Sequence, residues 1–143
     1  SAVITIPDAS VLPGGTVDIP IALDITDAGL LGADLTFTYD PTHVSISNVR
    51  AGSLASGWSL VSNLTEPGVV RVAMASATPI TTDGELVLFT VAGLGEPETE
   101  SPLIFTQYEL NENAIQTQQE NGSITIENGE EPTNKIYLPI FLK

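Results

Sequence analysis

The segment 32–41 constrains the fold of this chain most strongly, because apolar and polar side chains alternate along it. The apolar members of the alternation are Leu35, Phe37 and Tyr39. The polar members are Asp34, Thr36 and Thr38. A period of two is typical of a half-buried β-strand, and Asp40-Pro41 ends the strand because proline cannot donate to a sheet ladder. The segment therefore predicts a strand with an exposed polar face.

Similar short runs recur along the 143 residues between turns rich in Gly, Pro, Asp and Ser, and no helical period persists. This pattern predicts one all-β domain, an antiparallel β-sandwich of nine strands. The predicted strands span residues 3–6, 16–23, 32–39, 44–49, 58–64, 69–75, 85–92, 103–110 and 123–127, with 114–118 as an optional further piece. Pro20 predicts an edge or a bulge in the second strand. The continuous apolar run 85–92 predicts a strand covered on both sides.

Composition excludes several classes of function. The formal net charge of −14 disfavours binding to nucleic acid or to anionic lipid. The absence of cysteine excludes disulfides and thiolate chemistry, and no apolar run is long enough to span a bilayer. Aromatic residues make up only 6% of the chain, so we expect a core of Val, Ile and Leu rather than of stacked rings.

Candidate catalytic residues are few. His43 is the only histidine, and it follows a turn with no catalytic partner in view. The Gly-x-Ser-x-Gly pattern of a nucleophile elbow is absent, and the carboxylates of Asp83 and Glu85 fit a turn and its flank. EF-hand loops are absent too. We therefore expect no enzyme activity, no cofactor and no metal ligands, although calcium at an acidic loop stays an open alternative.

Five segments, taken in their order, resemble the cohesin modules of cellulosomal scaffoldins and bacterial cell-surface proteins. They are GTVDIPIAL at 15–23, GADLTFTYDP at 32–41, VRAG at 49–52, SATPIT at 76–81 followed by Asp83-Gly84, and GSITI at 122–126. The resemblance covers residues 3–127. It implies a nine-stranded β-sandwich with jelly-roll topology that has no catalytic site and binds the calcium-loaded helical dockerin module of another protein.

The resemblance also implies a binding surface on the sheet formed by the third, fifth, sixth and eighth strands. In similar cohesins an acidic residue at the position of Asp34 accepts hydrogen bonds from dockerin side chains. The partner-binding residues predicted in this way are Asp34, Thr36, Thr38, Asn63, Arg71, Ala73, Ala75, Ala114 and Gln116. Arg71 departs from the family pattern, in which an aliphatic residue is more usual, so the resemblance does not predict the partner specificity.

Two other functions stay open at this point. A carbohydrate-binding sandwich would need an exposed aromatic platform, for which Trp58, Tyr108 and Tyr137 are the candidates, although Trp58 is expected to belong to the core. A structural or adhesin spacer domain would need no partner face at all. Either function, like the cohesin one, fits an extracellular or cell-surface protein of a bacterium.

The two ends of the chain differ in character. The sequence begins on an apolar strand without a leader pattern, so we expect that any export signal has been removed or was never included. We expect the sandwich to span residues 1–127, a polar linker 128–134 and an apolar tail 135–143. The tail, KIYLPIFLK, is predicted to add to a sheet edge of its own or of a neighbouring molecule, which would allow self-association.

Overall fold

A computed structural model describes residues 1–128 and shows two β-sheets that enclose one hydrophobic core. The strands are β1 (Ala2–Thr5), β2 (Ala9–Val11), β3 (Thr16–Ile25), β4 (Leu30–Thr38), β5 (Val44–Ala51), β6 (Ser59–Asn63), β7 (Val69–Ile80), β8 (Gly84–Gly93), β9 (Glu100–Leu110), β10 (Thr117–Glu120) and β11 (Gly122–Ile126). The five-stranded sheet has the order β10-β1-β3-β8-β5, and the six-stranded sheet has the order β2-β11-β9-β4-β7-β6. The predicted tail, and all of the predicted linker after Asn128, lie outside the described residues.

The predicted all-β sandwich is confirmed, but the described residues form eleven strands rather than nine. The additional strands are β2 and β10, and the second of these overlaps the optional piece 114–118. Each belongs to a parallel pair, β1 with β10 and β2 with β11. Pro7 lies between β1 and β2, and Asn121 lies between β10 and β11. At these residues the two paired chain segments leave the five-stranded sheet side by side and enter the six-stranded sheet. β2 has only three residues and β10, with the sequence TQQE, has no apolar residue, so neither shows an alternation of apolar and polar side chains.

The core is mainly aliphatic, as the composition predicts, but aromatic rings meet at its centre. The Phe37 and Phe89 ring centroids are 5.0 Å apart in an edge-to-face arrangement, and Phe37 also lies 6.3 Å from Phe105. These three side chains are at most 5% exposed. The expectation of a mainly aliphatic core without stacked rings is therefore confirmed, since these ring contacts are edge-to-face or tilted. The rings connect β8 of the five-stranded sheet to β4 and β9 of the other.

Two finer predictions about strands had different outcomes. Pro20 lies on the part of β3 that extends beyond its pairing with β1, so the predicted edge is confirmed, whereas the extra residue at the register shift between Ile21 and Ala22 is Leu86 of β8. The run 85–92 is not covered on both sides throughout: Leu86, Val87, Phe89 and Val91 are fully buried, whereas Leu88, Thr90 and Ala92 are half-buried.

Candidate partner-binding face

The strands β9, β4, β7 and β6 form a continuous surface that points away from the core, and we call it the outer face. Antiparallel register aligns its side chains in rows across the strands. One row contains Glu109, Asp34, Ala73 and Val61. The next contains Gln107, Thr36, Arg71 and Asn63, and a third contains Gly32, Ala75 and Ser59. Thr38 continues the sequence of rows opposite Val69 and Ile104. The structure thus brings together most of the predicted site residues.

Asp34 lies near the middle of the outer face and is exposed. Its chain neighbours Ala33 and Leu35 are buried at 4% and 2% exposure, which forces the carboxylate outward. No hydrogen bond or ion pair engages this carboxylate within residues 1–128. The group is therefore available to accept hydrogen bonds from another molecule, as the alternation predicts.

Thr36 points to the same side but is only 8% exposed, so it is not the open contact residue that the sequence predicts. Its hydroxyl donates a hydrogen bond of 3.0 Å to the Gln107 side-chain oxygen, and Arg71 flanks it on the other side. These neighbours are polar and belong to the outer face itself. Thr36 therefore helps to orient Gln107 on the outer face. Thr38 is half-buried at the end of β4.

Arg71 is exposed and donates from its Nη1 atom to Glu66 Oε1 at 3.0 Å. Glu66 lies in the turn between β6 and β7. Because both side chains are half exposed, the pair contributes little to folding stability. The neighbouring positions on the strand, Ala73 and Ala75, are exposed and small, so a partner backbone can come close to the sheet here.

A groove of about 650 Å³ runs along the outer face beside Asp34. Its lining includes Leu31, Val61, Ala73 and Ala75. Leu31 is 44% exposed and Val61 is 69% exposed, which is high for large apolar side chains. Grouped apolar exposure of this kind marks interaction surfaces. The sequence prediction missed Leu31 and Val61, since their proximity depends on the register between β4, β7 and β6.

Asn111 holds the loop that borders one end of this groove. Its side-chain oxygen accepts hydrogen bonds from the backbone amides of Leu31, at 2.8 Å, and Gly32, at 3.2 Å. Its side-chain nitrogen donates to the Gly29 carbonyl at 2.9 Å. Asn111 also adopts a φ of 51°, a left-handed conformation that asparagine tolerates better than most residues. It therefore fixes the start of β4 against the loop.

We expect Asn111→Ala to lower the free energy of unfolding by about 1 to 3 kcal/mol, because two backbone amides and a carbonyl lose their partner. Asn113→Ala is the matched control, since Asn113 has a φ of 73° but no side-chain hydrogen bond within residues 1–128. Urea unfolding of both variants measures the difference. Equal losses in the two variants would contradict the role of Asn111.

Two predicted residues lie off the outer face. Ala114 is exposed in the loop after β9, where its amide donates to the Asn111 carbonyl. The Gln116 carbonyl accepts a hydrogen bond from the Ala2 amide of β1, which belongs to the other sheet. The loop contributes Asn111 and Glu112 to the groove instead. Strand β9 ends at Leu110, so the alternation of the strand does not continue to these positions.

The residues considered for other functions are placed as follows. Trp58 and Tyr108 are half-buried and pack against the core, and within the described part of the chain no aromatic side chain is exposed.

His43 lies in the turn after β4 with its Nε2 atom 3.4 Å from Asp40 Oδ2. Hydrogen bonds from the hydroxyl and the amide of Thr42 lower the pKa of Asp40. Residues 1–128 contain no group of three or more His, Cys, Asp or Glu side chains that could hold a metal ion.

Asp18, on the opposite surface of the sandwich, has a carboxylate whose environment differs from that of Asp34. There Asp18 accepts hydrogen bonds from the Thr90 hydroxyl at 2.8 Å and from Arg50 Nη2 at 3.1 Å. The Thr90 hydrogen bond, together with the Arg50 guanidinium, lowers the pKa of Asp18. This carboxylate has its partners within the fold, whereas the carboxylate of Asp34 has none among residues 1–128.

The model of the cohesin domain family matches residues 2–126 of the chain. Among solved structures, a non-cellulosomal cohesin from the archaeon Archaeoglobus fulgidus is 19% identical with a TM-score of 0.78, over 92% of this chain and 94% of that one. The sixth cohesin of scaffoldin B from Acetivibrio cellulolyticus, solved with a dockerin variant, is 20% identical with a TM-score of 0.78, over 89% of this chain and 99% of that one.

A cohesin of a type I cohesin–dockerin complex from Clostridium thermocellum is 18% identical with a TM-score of 0.78, over 88% of this chain and 93% of that one. No curated protein sequence matches this chain significantly. Within residues 1–128 the structure contains no helix with the length and apolarity that crossing a bilayer requires.

Proposed function

Because this chain belongs to the cohesin domain family, we propose that it binds a dockerin-type partner module through the outer face. The family consists of non-catalytic interaction modules, and we extend this property to the chain itself. The observation that carries the proposal is the position of Asp34. An exposed carboxylate without a partner among residues 1–128 lies in a row with Ala73 and Val61, on a surface with an apolar groove.

The geometry of the outer face suits a helix. Successive rows along a strand are about 7 Å apart, so three rows extend over about 14 Å, or two to three turns of an α-helix. Ala73 and Ala75 are small enough for the helix backbone to approach the sheet. Leu31 and Val61, which also line the groove, offer apolar contacts to the side chains of the helix. Asp34 then accepts hydrogen bonds from hydroxyl or amide groups of the helix, and these bonds set its position along the groove.

Calcium, in this proposal, belongs to the partner. The dockerin is the calcium-loaded module of the pair, and the described residues of this chain offer no cluster of carboxylates for a metal. We also propose an extracellular or cell-surface location, which is typical of cohesin modules in scaffoldins. The partner would then meet the chain in a medium where calcium is plentiful.

A pull-down tests the proposed function directly. The bait is the full chain, and the candidates are the isolated dockerin modules encoded in the same genome, each with calcium and with a chelator. We expect at least one dockerin to bind with calcium and to be lost with the chelator. A glycan array run in parallel tests the carbohydrate alternative. Glycan binding without any dockerin binding would contradict the proposal.

A further inference from the structure

Arg71 gives the outer face a charge pattern that varies along its length. Within residues 1–128 the chain has only two cationic side chains, and the other, Arg50, lies on the five-stranded sheet. Toward the groove end, the carboxylates of Asp34, Glu109 and Glu112 have no hydrogen bond or ion pair in the described part of the chain. Toward the opposite end, Arg71 is paired with Glu66. The outer face is thus acidic at one end and carries a cation toward the other.

The Arg71 guanidinium retains the capacity to bind a second carboxylate. It has five N–H donors, and the Glu66 pair uses only Nη1. A hollow of about 240 Å³, lined by Thr36, Asn63, Ala73 and Gln107, lies next to it. The guanidinium therefore borders an open space on the surface where a partner would dock.

A docked partner must also supply a hydrogen-bond acceptor for the guanidinium of Arg71. Covering Arg71 removes water from a charge that only an exposed Glu66 balances, which costs affinity unless the partner supplies an acceptor. A partner with a carboxylate at this place gains a charge-assisted hydrogen bond, while one with an apolar or basic residue is rejected. One side chain therefore both attracts the matching helix and excludes others.

We propose, on the basis of the proposed function, that Arg71 determines which dockerin helix binds and in which direction it lies. The helix that fits carries an acidic residue opposite Arg71. It carries basic or hydroxyl groups one to three turns away, opposite Asp34 and Glu112. Because the two ends of the outer face differ in charge, reversing such a helix would place like charges together, so a single orientation is favoured.

The test uses calorimetric titration of the full chain with the dockerin found in the pull-down. Arg71→Gln should weaken binding about 3- to 10-fold, and Arg71→Glu should weaken it more than 10-fold. Changing the acidic dockerin residue that faces Arg71 to lysine should restore binding to the Arg71→Glu variant. Arg50→Gln is the matched control, because Arg50 also forms an exposed ion pair, 3.1 Å from Asp18, but on the other sheet. It should leave the dissociation constant within about twofold.

The possible outcomes separate this inference from the proposed function. If a dockerin binds and its affinity is the same for wild type, Arg71→Gln and Arg71→Glu, the role of Arg71 is overturned and the proposed function stands. If no dockerin binds the wild type, both fail. Circular dichroism of each variant checks that the sandwich is intact, as expected for a residue exposed to solvent.

Discussion

Reversing the charge of Asp34 should weaken the dockerin complex by about 1 to 3 kcal/mol, or about 5- to 150-fold in Kd. The wild-type carboxylate is exposed, has no partner among residues 1–128 and borders the apolar groove. In the proposed complex it accepts hydrogen bonds that a lysine cannot accept. Asp34→Lys would then leave buried donors of the partner unsatisfied, which costs more than the loss of an exposed contact. Titration calorimetry at a fixed calcium concentration measures the change.

Asp24→Lys is the control for this experiment, since Asp24 is an exposed strand residue of β3 in the five-stranded sheet. It makes the same change in net charge on the opposite surface of the sandwich. We expect its Kd to stay within about threefold of wild type, because only long-range electrostatics differ. Equal weakening by both variants would show that net charge, rather than the position of Asp34, governs binding.

Truncating Phe89 should lower the free energy of unfolding by about 3 to 5 kcal/mol. Phe89 is fully buried on β8, an inner strand of the five-stranded sheet, and its ring meets Phe37 edge to face at 5.0 Å. Phe89→Ala removes this contact and opens a cavity between the two sheets. For a domain of this size the loss corresponds to about 10 to 20 °C in Tm. Thermal and urea unfolding of the variant measure it.

Phe89→Leu serves as the comparison, because it keeps most of the apolar volume and should cost clearly less than the alanine variant. Since Phe89 is fully buried and belongs to the five-stranded sheet rather than to the outer face, dockerin affinity measured well below the Tm of each variant should stay close to that of wild type. A loss of less than about 1 kcal/mol in Phe89→Ala would contradict the central position of these rings.

Local alternation was enough to predict β4 and the direction in which Asp34 points, because the side-chain period of a strand depends only on the chain itself. The exposure of Thr36 could not be predicted in this way. It depends on Gln107, which is 71 positions away in sequence and comes next to Thr36 only through the pairing of β4 with β9. Expected exposure and observed burial differ for this reason.

The residues that line the groove could not be predicted from the local sequence either. Leu31, Val61 and Asn111 belong to three separate parts of the chain, and none of them has an unusual sequence context. They meet because β7 lies between β4 and β6 and because Asn111 fixes the loop after β9 to the start of β4. The resemblance to cohesins predicted which sheet forms the binding surface, but it did not predict these residues. Ala114 and Gln116 were misplaced because the loop after Leu110 interrupts the strand.

The central claim, that a dockerin covers the outer face, is tested most directly by hydroxyl-radical footprinting of side chains with and without the bound dockerin. Leu31 and Val61 report on the groove, whereas Leu12 and Leu94, which are 50% and 58% exposed, flank the Pro13–Gly93 bridge at another part of the sandwich. We predict that binding protects Leu31 and Val61 from oxidation and leaves Leu12 and Leu94 unchanged. Protection of Leu12 and Leu94 with no change at Leu31 and Val61 would contradict the claim.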